Sequence, residues 1–250
     1  MKKVTVIGSG NVGFHLINLF QNSKKIQLHE WYSRSLVNNK RVNIINEIKN
    51  LNDADIYIIC VNDNMIERIS NNLPFKDKLV LHTSGSLSYD KIDSKNRRGV
   101  FYPLQTFSKS LDLNYSEIPI CIEAEFKYDL EIVKKLSKDI GCKFYQMDFN
   151  QRKTLHLAAI IANNFTNFLI GISKELVESE KIDFNILKPL IKETFNKIHK
   201  LDPIEAQTGP ARRHDLNILK VHQNMIKDKN HKRLYKLVSD MIINKYGNKL

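Results

Sequence analysis

Cysteine, proline and tryptophan are scarce in this 250-residue chain, at three, six and one respectively. Cys60, Cys121 and Cys142 lack the short spacings of a metal site and lie in or beside apolar, strand-like runs, so neither a disulfide framework nor a metal cluster is expected, and the thiols read as free and buried. There is no internal repeat and no low-complexity linker. Acidic residues are also in short supply, 27 against 39 lysines and arginines, leaving a net charge of +12. Such an excess can attract nucleic acid, membrane surfaces or anionic ligands. Here the lysines are scattered through every helical stretch and form no stripe, so nucleic-acid binding is not expected. No run of about 18 consecutive apolar residues exists, and the N-terminus enters a strand without an apolar signal region. Membrane insertion and secretion are therefore not expected, and the cytoplasm is. With 42% hydrophobic residues the chain has enough material for a real core.

What is present begins at once. Met-Lys-Lys-Val-Thr-Val-Ile-Gly-Ser-Gly-Asn-Val-Gly places a glycine-punctuated turn between an apolar strand and an amphipathic helix. In a Gly-x-Gly-x-x-Gly turn of this kind, Gly8 permits the tight exit from the strand, Gly10 lets backbone approach a pyrophosphate, and Gly13 lets the helix pack close. With Ser9, Asn11 and Val12 these residues form the expected phosphate cradle, its unpaired N–H groups and helix dipole facing the anion. About 20 residues beyond the last glycine, an NAD-type site usually carries a carboxylate for the ribose 2′-hydroxyl. Here Trp31-Tyr32-Ser33-Arg34-Ser35 occupies that stretch, and Glu30 falls too early, within the strand. Arg34 with Ser33 and Ser35 suits a 2′-phosphate, so NADP is favoured over NAD. Val61 would lie along the path toward the nicotinamide, and Asp63 reads as a cap of the helix that follows.

Apolar runs and turn signals predict strands near 3–7, 26–32, 55–61, 78–82, 98–101, 118–123 and 142–147, with helices over 12–22, 65–72 and 128–140, the last stopped by Gly141. The alternation predicts an α/β fold, a doubly wound, mainly parallel Rossmann-like sheet, over residues 1–149. From 150 to 250 strand signals stop, and helices are expected over 151–180, 184–200, 215–227 and 229–246, a unit for substrate binding or dimerisation. The apolar positions Leu155, Ala158, Ala159, Ala162, Phe165, Leu169 and Ile172 recur at helical spacing, so this long helix must bury a face against its own unit or a second copy.

Polar candidates gather at strand ends and on the long helix. His82 and Ser84, in Leu81-His82-Thr83-Ser84-Gly85-Ser86, follow the fourth expected strand, and Tyr102-Pro103-Leu104-Gln105-Thr106-Phe107 follows the fifth, at the sheet edge where ligands collect. His82 and Ser84 are expected to line a substrate pocket. On the long helix His156 and Asn164 are about 80° apart around the axis at 3.6 residues per turn, close enough to border one cleft. A histidine can exchange the proton that accompanies hydride transfer, and an asparagine can hold a substrate oxygen; helix packing is the alternative for both. Arg213, in the loop Gln207–Asp215, can clamp a carboxylate or phosphate, and Asp215 reads as the N-cap of the next helix.

Taken in order, Gly8–Gly13, His82-Thr83-Ser84-Gly85, Tyr102–Phe107, His156-Leu157-Ala158-Ala159 continuing to Asn164, and Thr208-Gly209-Pro210-Ala211 with Arg213 and Asp215 make the chain resemble a bacterial family of short Rossmann-like proteins of unassigned function. That family is related to ketopantoate reductase, pyrroline-5-carboxylate reductase and the hydroxyacid dehydrogenases. The resemblance implies an N-terminal NADP-binding domain and a helical domain similar to the C-terminal domain of 6-phosphogluconate dehydrogenase, which usually builds dimers. It supplies no substrate. Hydroxyacid dehydrogenases carry a catalytic lysine four residues before the asparagine; here that position is Ile160, and Lys153 is out of register. The expected function is NADP-dependent hydride transfer to or from a small anionic carbonyl, alcohol or imine. The alternatives are an NADP-binding sensor or scaffold without turnover, and reduction through a deazaflavin.

Overall fold

The computed structural model describes residues 1–35 and 39–246, which divide into two compact units, Met1–Asn163 and Asn164–Leu250. The first is built on β1 (Lys2–Ile7), β2 (Ile26–Tyr32), β3 (Asn43–Ile45), β4 (Ile56–Ile59), β5 (Leu79–His82), β6 (Arg97–Pro103), β7 (Ile120–Ala124) and β8 (Phe144–Gln146). These lie in one sheet in the order β3-β2-β1-β4-β5-β6-β7-β8, with every neighbouring pair parallel except β6 with β7. The order reverses between β1 and β4, whose carboxyl ends therefore part to open a crevice.

The central strands are apolar throughout because helices cover both faces. Val4, Val6, Ile56 and Ile58 point into one core with Leu16, Phe20 and Trp31, while Ile7, Tyr57 and Ile59 point into the other with Ile66 and Ile69. Helix α1 (Asn11–Gln21) packs on the first face and α2 (Asp63–Asn71) on the second. Helix α3 (Lys127–Asp139) ends just before Gly141, whose φ of +76° is the left-handed turn expected of a stop glycine. The short strand β3 went unpredicted. Three residues carry no readable alternation, and the strand is secured from elsewhere: the buried Glu30 carboxylate accepts from Asn43 Nδ2 at 3.2 Å, from Asn52 Nδ2 at 2.6 Å and from the Asn52 amide at 3.0 Å.

Helix α4 (Phe149–Ala159) opens with a capping box in which Asp148 and Gln151 satisfy each other's backbone amides. It is tied to the sheet unit by Arg152, a residue with no exposed surface. The guanidinium pairs with Glu123 on β7 and donates to the Leu87 carbonyl at 2.5 Å. A π-helical turn (Ile160–Phe165) follows. The whole stretch Phe149–Ser179 is long and apolar enough for a membrane span by length and composition, and almost none of it is buried within the chain. His156, Asn163, Asn164 and Asn167 interrupt its middle. Polar side chains of this kind are costly to place in lipid.

The second unit consists of α5 (Thr166–Ser179), α6 (Lys188–Ile198), α7 (Pro203–Ala206), α8 (Leu216–Met225) and α9 (Lys229–Tyr246). Asp215 caps α8, its carboxylate accepting from the Ile218 amide. Among the described residues of this unit only three apolar side chains are buried, Ala211, Leu219 and Ile226.

The buried pair makes a stability test. Arg152→Met leaves Glu123 without its cation, and a loss of about 3–5 kcal/mol in unfolding free energy is expected by urea denaturation. Arg152→Met with Glu123→Leu should recover most of that loss, because the penalty comes from the orphaned charge and not from the absence of the pair.

Candidate active site

A cleft of about 420 Å³ opens where the sheet order reverses, lined by Gly8, Ser9, Gly10, Asn11 and Val12 from the first turn, Tyr32, Arg34 and Ser35 beyond β2, Val61, Asn62 and Met65 beyond β4, and Thr83 beyond β5. The three glycines serve different ends. Gly8 has φ +122°, and a Cβ there would stand 2.3 Å from the Cys60 carbonyl oxygen. A Cβ on Gly13 would meet the Gly8 carbonyl oxygen at 2.2 Å, so α1 can seat against β1 only without one. Gly10 has nothing within 4 Å of its missing side chain. It needs no glycine for packing, and its bare backbone borders open cleft. Gly10 is also the N-cap of α1 and makes no side-chain cap bond, and no acidic residue occupies the helix's first turn. The free amides and positive dipole end of α1 are thus left for an anion.

The cradle is braced from behind. Trp31 Nε1 donates to the Gly8 carbonyl at 2.9 Å, and the Gly8 amide donates to the Tyr32 carbonyl at 2.9 Å. Asn11 Nδ2 donates to the Phe107 carbonyl at 2.9 Å, which draws the loop after β6 over the start of α1. On that same loop Ser108 and Tyr115 hold both ring nitrogens of buried His15, each at 2.9 Å.

Arg34 and Ser35 are exposed at the rim of the cleft, as a 2′-phosphate site requires. Ser33 departs from expectation. It is 2% exposed, and its hydroxyl lies 2.7 Å from Ser9 Oγ and 2.9 Å from the Ser35 carbonyl, so it fastens the loop to the glycine turn and has little freedom for a ligand.

The loop after β5 likewise turns its side chains inward. His82 has no exposed surface; its Nδ1 accepts from the Ser84 amide at 3.1 Å and its Nε2 donates to the Ser88 carbonyl at 3.2 Å. Burial, helped by the nearby Arg152 cation, pushes its pKa down to about 4, so the ring is neutral. Ser84 is also buried, and its hydroxyl donates to Asp63 at 2.9 Å. Direct contact of His82 and Ser84 with a substrate is not what this geometry offers: both side chains are used up in shaping the loop. Asp63 is no cap either. Asn62 holds the cap position of α2 without a side-chain bond, and the Asp63 carboxylate accepts from Ser84 and, at 2.5 Å, from Ser86.

His156, on α4, is half-buried, with Nδ1 3.0 Å from the Tyr102 hydroxyl at the end of β6. Both rings pack on Gly85, two residues beyond the cleft residue Thr83. Tyr102 was expected only as part of the Tyr102–Phe107 stretch at the sheet edge where ligands collect, and Arg152 gave no signal, since an arginine near the start of a helix usually means solvent. Asn164, the first residue of the second unit, and Arg213, in the loop before α8, are both exposed there.

The fold and its cleft define a Rossmann-type protein with a following helical unit, the fold of NADP oxidoreductases. Residues 118–242 match the domain of unknown function DUF2520, and the chain belongs to that family. A candidate NADP oxidoreductase from Bacteroides fragilis is 32% identical with a TM-score of 0.86, the match covering 96% of this chain and 97% of that one. A Thermotoga maritima protein is 23% identical over 98% of this chain and 99% of that one, with a TM-score of 0.74. Plasmodium falciparum pyrroline carboxylate reductase, solved with NADP bound, is 15% identical with a TM-score of 0.64, covering 98% and 97%. At these lower identities the likeness is one of fold. No curated protein matches the sequence.

The buried His82 sets a pH signature. Its folded pKa lies below the ordinary 6.5, so the unfolded chain binds the extra proton, and stability is full above about 6.5 and falls as the pH drops toward 4. The expected slope in that window approaches about 1.4 kcal/mol per pH unit. Urea midpoints across the window should show it in the wild type and a shallower fall in His82→Asn; equal slopes would refute the assignment.

Proposed function

We propose that this chain is an NADP-dependent oxidoreductase acting on a small, anionic carbonyl, alcohol or imine. The observation that carries the reading is the glycine cradle, in which Gly8 and Gly13 are demanded by packing and Gly10 by nothing except the open space in front of it. A pyrophosphate fits that space, over the free amides of α1. Arg34 at the rim supplies a planar cation for a 2′-phosphate, and no carboxylate from the end of β2 competes, Glu30 being consumed by Asn43 and Asn52. The name of the Bacteroides fragilis relative and the NADP in the Plasmodium structure agree with this choice of nucleotide.

When bound, the nicotinamide supplies or accepts the hydride. The protein's part is orientation and a proton. Val61, Asn62 and Thr83 line the cleft beyond β4 and β5 and would face the nicotinamide, and His156, beyond Gly85, exchanges the proton with the substrate heteroatom. Asn164 and Arg213 keep the chemistry for a substrate oxygen and an anionic group. Ile160 at the position of the dehydrogenase lysine favours a second reading, a sensor or scaffold that binds NADP without turnover. NADPH fluorescence followed by oxidation against a panel of keto acids and imines separates the two. Binding without turnover, unaltered in His156→Ala, would leave only the second.

The helical unit exposes Phe165, Phe168, Leu190, Leu216, Met225 and Met241. Such a surface calls for a partner, and a second copy of the chain meets the requirement with its own matching apolar faces, the assembly working in the cytoplasm, where buried free cysteines persist.

Gly10→Ala should leave stability within about 1 kcal/mol, since its φ of −67° and ψ of −175° suit alanine, yet abolish NADPH binding by calorimetry. Arg34→Ala should weaken NADPH about 10- to 100-fold and NADH little, the worth of a charged hydrogen bond. Equal loss for both nucleotides would remove the 2′-phosphate from the account. Light scattering should give twice the 29.1 kDa chain mass; a monomer at micromolar concentration would rule out the self-pairing.

A further inference from the structure

Tyr102 has no role in the reading so far, although it stands beside the group assigned to proton exchange. Its hydroxyl is 3.0 Å from His156 Nδ1, and the two rings meet edge to face at 5.8 Å between centroids. Gly85 closes the arrangement from the β5 side: a Cβ there would lie 2.8 Å from both Cγ and Nδ1 of His156 and 2.8 Å from Tyr102 Cζ. The three residues come from three elements, the β5 loop, the end of β6 and α4, and α4 is anchored one turn earlier by the buried Arg152.

We propose that Tyr102 is the positioning residue for His156, occupying Nδ1 so that Nε2 is the nitrogen left to exchange a proton, with Gly85 as the gap into which both rings fit. A phenol both donates and accepts. With Nδ1–H donating to the phenol oxygen in the neutral ring and in the imidazolium alike, the proton that comes and goes is the one on Nε2. In both states Nδ1 is engaged and Nε2 is free. Burial supports this by pushing the Tyr102 pKa up to about 12, so the phenol keeps its proton throughout the neutral range. In the direction of reduction, Nε2–H of the imidazolium gives its proton to the substrate oxygen or nitrogen as carbon accepts hydride, and water reprotonates the ring.

The kinetic part of this inference rests on the reductase reading, whereas the geometric part does not, and the experiment separates them. In ¹⁵N-histidine-labelled protein at a pH where the ring is neutral, wild type should show His156 with one pyrrole-type and one pyridine-type nitrogen, the latter Nε2. Tyr102→Phe, which keeps the ring and loses only the hydroxyl, should move both resonances toward the averages of exchanging tautomers. Gly85→Ala should do the same by forcing the rings apart with both side chains intact. With any substrate found to turn over, Tyr102→Phe should lower kcat about 10- to 100-fold, part of what a positioned acid contributes, with NADPH affinity unchanged. Identical ¹⁵N patterns in wild type and Tyr102→Phe would overturn the proposal, as would a changed pattern with undiminished kcat. Absence of turnover in the wild type would defeat the reductase reading, and the nitrogen pattern alone would then decide whether Tyr102 holds the ring.

Discussion

One carbonyl group governs the geometry of the sheet unit. The oxygen of Gly8 receives the indole N–H of Trp31 from β2 and leaves α1 so little room that position 13 tolerates no Cβ. That contact determines how near the start of α1 comes to the ends of β1 and β4, and therefore where its free amides point. A larger residue at 8 or 13 would push the helix off the strand and carry the anion site with it. The remaining cleft residues are arranged around this corner, and Ser33, Ser9 and Asn11 spend their hydrogen-bonding capacity holding neighbouring loops to it.

A second theme is polar side chains that hold loops in place while having little or no contact with solvent. His82, Ser84 and Arg152 are all buried: His82 bonds within the loop it opens, Ser84 reaches Asp63 on α2, and Arg152 reaches Leu87 and Glu123 from α4. Leaving such groups unpaired would be costly, so each acts as a specific lock and not as general adhesion. Together they give the loop after β5 one shape, and that shape brings Gly85 against Tyr102 and His156. The chemistry proposed for His156 thus depends on residues whose own side chains are buried in holding a loop.

Much of the architecture could be read from residue order. Strands such as Ile56–Ile59 and Leu79–His82 are short continuous apolar runs, legible because both faces are covered, and Gly141 marked the end of α3 through its backbone conformation. Strand β3 could not be read, since three residues establish no period and Glu30 supplies the restraint from another strand. The reversal of β7 was equally hidden, because strand direction depends on where the long connection after β6 returns. In the candidate site, the form of the glycine turn and the place of Arg34 at the cleft rim were legible, as both follow from local backbone and chain position. The loop partners of Asp63, Ser33, His82 and Ser84 could not be read, because a polar residue at a strand end looks the same in sequence whether it faces a ligand or a neighbouring loop.

Sequence by itself determined the order of strands and helices, the cradle at the first turn and the change to helices after the last strand, all consequences of local steric preference and hydrophobic period. Only the tertiary structure decided which polar groups are consumed internally and which stay available. That decision depends on atoms brought together across dozens of residues, such as Arg152 with Glu123 and Tyr102 with His156, and no local rule of backbone or burial encodes such a meeting.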